Sequence, residues 1–374
     1  MSTEIPPTPP SPGVGLRRKP KTLPTLPLSA FSPPNSSTGE RFPRPPTPSR
    51  VHPVQVVDAH VVVVGDATAS LESWKKEAGK ALGGLIGKGG VVLALPATAS
   101  DELLAGLQLR DTGGQGLPEI AGVPVLSLMV PFEMHSAQHE MPAYTSGLSI
   151  PISLATSFSK STPESIVGLK WALSQGRPVD IDVRAALSDS ALQGFLDLLD
   201  EAVADLPSVP PIIISSVLPP PHDLSLSIVK LMKHPSYHTF QTQTAALSLV
   251  PGLYIKFLPP SWDAPTPATP SDLANDTVDD ANSKQSKEWK RRIKMYLGPV
   301  IEAFGFERII FGSSPSPASH SASLAGDWYE IARESLAELG ADQETQDTGA
   351  DQETGIDLVF ASNAEKVYGN RAKK

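Results

Sequence analysis

Four short stretches carry the residue types that could do chemistry. In "VQVVDAHVVVV" (54–64), Asp58 and His60 stand two apart. A strand would turn both toward one face. A carboxylate beside an imidazole there is either half of a catalytic or metal site or a hydrogen-bonded pair inside a core. In "RPVDIDVRA" (177–185), Asp180 and Asp182 share a face in the same way. Two like charges on a buried face raise one pKa, which marks a site, unless Arg184 neutralises them as a structural ion pair. "EMHSAQHE" (133–140) spaces His135 and His139 four apart, between Glu133 and Glu140. On a helix that spacing can hold a metal, and in a loop it is unremarkable. In "FERIIFGSSPSP" (306–317), an apolar run stops at Gly312 and leaves Ser314 at a strand tip.

Composition narrows the functions open to these residues. The 374-residue chain has no cysteine, which excludes disulfides, zinc–thiolate sites and cysteine nucleophiles. A net charge of −9 argues against nucleic acid as a partner, because phosphate contacts need a basic face. No apolar run reaches the ~20 residues of a membrane helix, and the start lacks a secretory core. These readings lead us to expect a cytoplasmic protein with no membrane contact. No phosphate-loop or dinucleotide fingerprint is present.

The elements that must position these residues recur from Val54 onward. Apolar runs of strand length occur at 54–64, 89–96, 123–130, 165–173, 177–185, 210–218, 252–258 and 307–314. They are apolar on both faces, as parallel strands covered by helices are. Helical patterns at 70–87, 189–206, 286–305 and 326–340 alternate with them. The expected fold is α/β, a (β/α)8 TIM-like barrel over residues 53–370, with an open doubly wound sheet as the alternative.

Residues 1–52 hold 14 of the 39 prolines and read as a disordered tail with polyproline character. PxxP spacings offer a ligand for SH3-like domains. Thr8, Ser11, Ser32 and Thr47, each followed by proline, offer phosphorylation sites. Residues 259–284 and 340–355, the latter with a repeated "GADQET", read as floppy insertions.

The order of several phrases resembles the amidohydrolase-related family of metal-dependent hydrolases. "FGFERIIFGSSPSP" (304–317), Trp328-Tyr329 and "FASNAEKVYG" (360–369) resemble the family's ending. "VVDAHVVV" (56–63), "PIIISSVLPPP" (211–221) and "GLYIKFL" (252–258) resemble its earlier strands. The likeness spans most of residues 54–369. It implies a distorted TIM barrel with its active site at the C-terminal strand ends, around one divalent metal such as zinc. Family members hydrolyse C–N, lactone or related bonds, or decarboxylate. Metal-bound water, its pKa lowered from about 15.7 toward about 7, gives a proton to a strand-eight aspartate.

Carried over residue by residue, most of that ligand set is replaced. His60 matches the first histidine of the strand-one pair, and Val62 stands at the second. Ser216 takes the strand-six histidine position, Ser314 the strand-eight aspartate, and Asp182 falls near the strand-five histidine. A hydroxyl is a poor zinc ligand and, without a base of its own, no general base. The resemblance therefore implies a hydrolase of metal-dependent descent acting on a small molecule. Asp58, His60, Asp182 and Ser314 would be its catalytic candidates, and His60 and Asp182 its remaining metal ligands. Lys170, Asp180, Ser216, His222 and Lys256 would be pocket residues. The alternative is a catalytically inactive barrel that binds a ligand or a partner.

Overall fold

The computed structural model describes residues 47–96, 117–148, 150–183, 189–215, 224, 226–262, 264–269, 279–317, 319, 323–340 and 353–369. Most of the N-terminal tail, the repeat at 341–352, Arg184, Ser216, His222 and His320 lie outside them.

Eight parallel strands form a nearly closed barrel: β1 (Val57–Val62), β2 (Gly90–Ala94), β4 (Val123–Pro131), β5 (Ile152–Phe158), β6 (Val179–Val183), β7 (Ile212–Ile214), β8 (Leu253–Phe257) and β9 (Ile309–Phe311). They neighbour one another in that order. A two-residue strand, β3 (Glu119–Ile120), pairs antiparallel with the start of β4. It does so through a tight turn in which Ala121 and Gly122 both take positive φ.

Two apolar clusters divide the interior. The larger lies between strands and helices and includes Leu71, Trp74, Leu128, Phe195, Trp289, Phe311 and Trp328. The smaller joins strand residues Val57, Ala59, Val92, Met129, Ile213, Tyr254 and Ile310 to Ala361, Ala364, Val367 and Tyr368. The second cluster is the inside of the barrel, plugged by the C-terminal helix Asn363–Tyr368. That helix sits at the N-terminal end of the strands. Asn363 Nδ2 donates to Phe306 O and Ile309 O (2.7 and 2.8 Å), ahead of and at the start of β9. Gln55, just before β1, donates to Glu365 (2.7 Å).

The fourth expected strand is a correction. Residues 165–173 lie in the helix Pro163–Ser174, and the fourth barrel strand is β5, in a stretch with no helical or strand signal of its own. Thr162 caps the helix reciprocally with Ser165, and Pro163 opens it, a start signal that outweighs the apolar run. Ser165, Leu169, Ala172 and Leu173 are its buried stripe. The stretch 259–269 is a second correction. It packs rather than floats, with Trp262 tilted on Trp289 at 4.6 Å and Thr269 N donating to Asp327 (2.7 Å). Residues 279–284 already belong to the helix Asp279–Phe304.

At Gly168 the helix Pro163–Ser174 crosses the chain after β4 so closely that an added Cβ would lie 2.1 Å from Met134 O. In an exposed helix Gly→Ala gains about 1 kcal/mol. Here Gly168→Ala should instead lower stability by about 1–3 kcal/mol, as measured by chemical denaturation. A stabilised variant would contradict the close crossing of Gly168 over Met134.

Candidate functional site at the strand ends

The tips of β1 and β9 meet without forming a ladder, and side chains complete their union. Past β9, Ser314 N donates to His60 O (3.0 Å). Ser314 Oγ accepts from Val62 N (3.2 Å). Asp58 Oδ1 accepts from Ser313 N (2.8 Å) and His60 N (3.1 Å). The His60 ring closes the set through Nδ1 and Ser314 O (3.0 Å). A carbonyl oxygen only accepts, so Nδ1 carries the proton, and burial favours the neutral ring with its lone pair on Nε2. Two indoles anchor the same turn, Trp74 Nε1 to Ser313 Oγ (3.0 Å) and Trp328 Nε1 to Gly312 O (3.1 Å). Gly312 is required by contact: an added Cβ would lie 2.6 Å from Leu258 Cδ2 and 2.8 Å from His60 Cβ.

A register shift in β1 falls between Asp58 and Val61. Simple alternation does not hold across such a bulge. The seam with β9 ties Asp58 and His60 into one hydrogen-bonded set.

The second group lies deeper in the barrel. Lys256 on β8 is fully buried. Its Nζ stands 2.5 Å from Asp180 Oδ1, in an ion pair whose angle falls outside hydrogen-bond geometry. Tyr368, from the helical plug, donates to the same oxygen (2.9 Å), and the ammonium lies 5.3 Å from the centre of its ring. Asp180 Oδ2 is buried without a hydrogen-bond partner. Asp182, two residues further along β6, accepts from Ser316 Oγ (2.6 Å). Asp58, Asp180 and His60 feel the charge of Lys256, and Lys256 feels those of Asp180, Asp58 and Asp182.

The electrostatics follow from burial. Desolvation pushes Asp58 up to about 6, against the pull of the Ser313 hydrogen bonds and Lys256. It pushes His60 down to about 3, helped by the repulsion of Lys256. Asp180 is raised by burial and partly restored by Lys256. Lys256 is lowered by burial and partly restored by Asp180, Asp58 and Asp182.

Of the sequence candidates, Asp58, His60 and Ser314 meet in the seam, and Asp180, Asp182 and Lys256 line the interior. Lys170 is a correction. It sits on the helix Pro163–Ser174, about two-fifths exposed, paired with Asp205, because the run that carried it is not a strand. His135 and His139 do not form a helical pair. His135 faces Thr162 Oγ1 (3.3 Å), while His139 stacks on Trp171 at 5.2 Å. Ser216 and His222 lie outside the described residues. Sequence reasoning missed Ser313, Ser316 and Tyr368, although "NAEKVYG" already placed the tyrosine near the end of the resemblance.

The described donors do not fit a divalent cation. His60 Nδ1 is held by Ser314 O, which leaves Nε2 as the ring's remaining donor, Ser314 Oγ is held by Val62 N, and Val62 offers nothing. Among the described residues no three His, Asp or Glu side chains come together as metal ligands. Lys256 already supplies the positive charge. A +2 ion about 4 Å from an ammonium is opposed by about 8 kcal/mol at an effective dielectric near 20.

Among solved structures, the chain is similar to several amidohydrolases. It is similar to an amidohydrolase from Burkholderia multivorans solved with bound zinc, at 13% identity over 84% of this chain and 99% of that one, with a TM-score of 0.47. It is also similar to amidohydrolase 2 from Bifidobacterium longum subsp. infantis, at 15% identity over 84% and 98%, TM-score 0.45. A Pseudomonas putida protein described as a candidate 2-pyrone-4,6-dicarboxylic acid hydrolase is similar at 16% identity over 85% and 98%, TM-score 0.46. No family model and no curated protein matches the chain.

The two seam residues should pull stability in opposite directions with pH. Asp58 holds its proton more tightly folded than unfolded, so its contribution falls as pH rises from about 4 to about 6. His60 gives up its proton on folding, so its contribution falls as pH drops from 6.5 toward about 3. In urea melts between pH 4 and 6, His60→Gln should lose stability with rising pH relative to the parent, and Asp58→Asn should gain it. The divergence should be roughly 2–3 kcal/mol for each. Slopes of the same sign in both variants would contradict the seam. For the deeper pair, Lys256→Met leaves Asp180 buried and unpaired and should cost about 3–5 kcal/mol. The double variant with Asp180→Leu should recover much of that loss.

Proposed function

We propose that this chain is an amidohydrolase-type barrel that works without a catalytic metal, as a binding barrel for a small molecule. The observation that carries this reading is the buried Lys256 ammonium beside Asp180, within charge range of Asp58 and Asp182. The order of family-like phrases along residues 54–369 supports the descent. The parallel barrel, with those phrases at its strand ends, supports it further.

Hydrolysis by metal-bound water needs open ligands and a free base near the bound water. Here the candidate base position, Ser314, holds β1 in place, and the candidate imidazole is neutral and tied to a carbonyl. These residues serve the architecture of the strand ends. Specificity for a ligand would then come from the loops after the strands, which is where barrels of this kind vary.

A metal-dependent hydrolase of lactones or amides is the competing reading, and two measurements separate the two. Protein purified without chelator should carry less than about a tenth of a zinc, manganese or iron ion per chain by elemental analysis. Turnover on a panel of lactones, amides and dicarboxylates should be absent with or without added metal. About one metal per chain, together with turnover that EDTA abolishes, would establish the hydrolase instead.

A further inference from the structure

The strap that leads into β1 is built separately from the barrel's centre. Pro48–Arg50 make one turn of 3-10 helix, closed by Arg50 N donating to Thr47 O (2.8 Å). A buried side chain holds it: Arg333 Nη1 donates to Pro48 O (3.0 Å) and Val51 O (2.6 Å). The same guanidinium pairs with Glu330 and reaches Glu334 at 3.7 Å. Further along, Val54 N donates to Asp357 Oδ1 (2.9 Å). The strap is thus clamped at both ends.

Thr47 stands at the outer end of this clamp, exposed, as are Ser49 and Arg50. Its hydroxyl caps nothing in the backbone, and its one side-chain contact is a 3.4 Å approach from Ser49 Oγ. Its backbone is extended, φ −64° and ψ 141°, the conformation a following proline imposes. The local sequence is Pro45-Pro46-Thr47-Pro48-Ser49-Arg50. A hydroxyl followed by a residue with no N–H, with an exposed cation three positions on, is a pattern a protein kinase can read. The proline suits a groove that cannot satisfy an N–H there, and the guanidinium gives a charged anchor.

We propose that Thr47 is a phosphorylation site for a proline-directed serine/threonine kinase, and that the Arg333 clamp controls access to it. A kinase needs the segment extended, so Pro48 O and Val51 O must leave Arg333 before Thr47 can enter a catalytic groove. In the transfer, the kinase base takes the Thr47 hydroxyl proton, Oγ1 bonds to the γ-phosphorus of Mg-ATP, and ADP leaves. The product carries nearly two negative charges at the edge of the clamp. That phosphate then competes with Glu330 and Glu334 for arginine, which couples the tail to the wall of the barrel.

The test uses the full chain, a purified proline-directed kinase and Mg-ATP, with sites and rates read by mass spectrometry and Thr47→Ala as the control. Thr47 should approach one phosphate per chain. Arg50→Ala, a change at an exposed position, should slow its modification about tenfold. Arg333→Lys, which loosens the two-point grip, should speed it roughly threefold. Phosphate confined to Thr8, Ser11 or Ser32, or a Thr47 rate indifferent to Arg50→Ala, would overturn the site. An unchanged rate in Arg333→Lys would overturn the clamp.

Discussion

A parallel barrel has to close, and in this chain closure falls on the gap between β1 and β9. The other neighbours share ladders of backbone hydrogen bonds. At the gap one backbone bond, Ser314 N to His60 O, is joined by bonds through Asp58, the His60 ring and the Ser314 hydroxyl. These groups lie in a nearly dry interior, where each unpaired donor or acceptor would cost about 1–3 kcal/mol. The seam is therefore cooperative. Removing one partner strands another, and Gly312 leaves no room for the strands to shift in compensation.

The same constraint accounts for the charge at the centre. Three buried carboxylates without a cation would be forced toward their neutral forms. Lys256 supplies the cation from within the chain, and Tyr368 adds a hydrogen bond from the opposite end of the barrel. The C-terminal helix is thereby tied to the barrel interior through a single carboxylate oxygen of Asp180. A buried ion pair of this kind adds little net stability over an apolar filling, while its disruption costs several kcal/mol. Its value is in fixing how the plug, β6 and β8 register with one another.

Much of this was legible in the sequence, and the failures have physical causes. Seven barrel strands appear as apolar runs because helices cover their outer faces. The eighth, β5, hides because Ser153, Ala155, Thr156 and Ser157 dilute its pattern. The apolar run at 165–173 was taken in its place, although Thr162, Pro163 and Ser165 spell a helix start. Asp58 and His60 are neighbours in the sequence pattern, and the seam joins them through the His60 backbone N–H and Asp58 Oδ1; their partners past β9, Ser313 and Ser314, lie 255 and 254 positions away. The partner of Asp180 was sought in the adjacent Arg184. The cation that meets it, Lys256, is 76 positions away, a pairing that no local spacing reveals. The packed stretch 259–269 misled through composition: proline and aspartate read as solvated, and one tryptophan facing Trp289 decides otherwise.

Under the descent proposed above, Val62 and Ser314 are best understood together with Lys256, because no single change among them would create a cation site. An aspartate at 314 would bring a fourth carboxylate toward Asp58, Asp180 and Asp182, with one buried ammonium to balance them. Desolvation already lifts Asp58 to about 6, so the added group would favour its neutral form and make a poor base. A histidine at 62 would require the bulged strand to present its side chain beside an imidazole that burial, helped by Lys256, keeps uncharged. Its backbone N–H would still need the acceptor that Ser314 now provides. Recovering a cation site therefore means changing the ligands, the seam and the internal cation together. The intermediates leave buried charge unpaired at several kcal/mol each, which holds the barrel in its present chemistry.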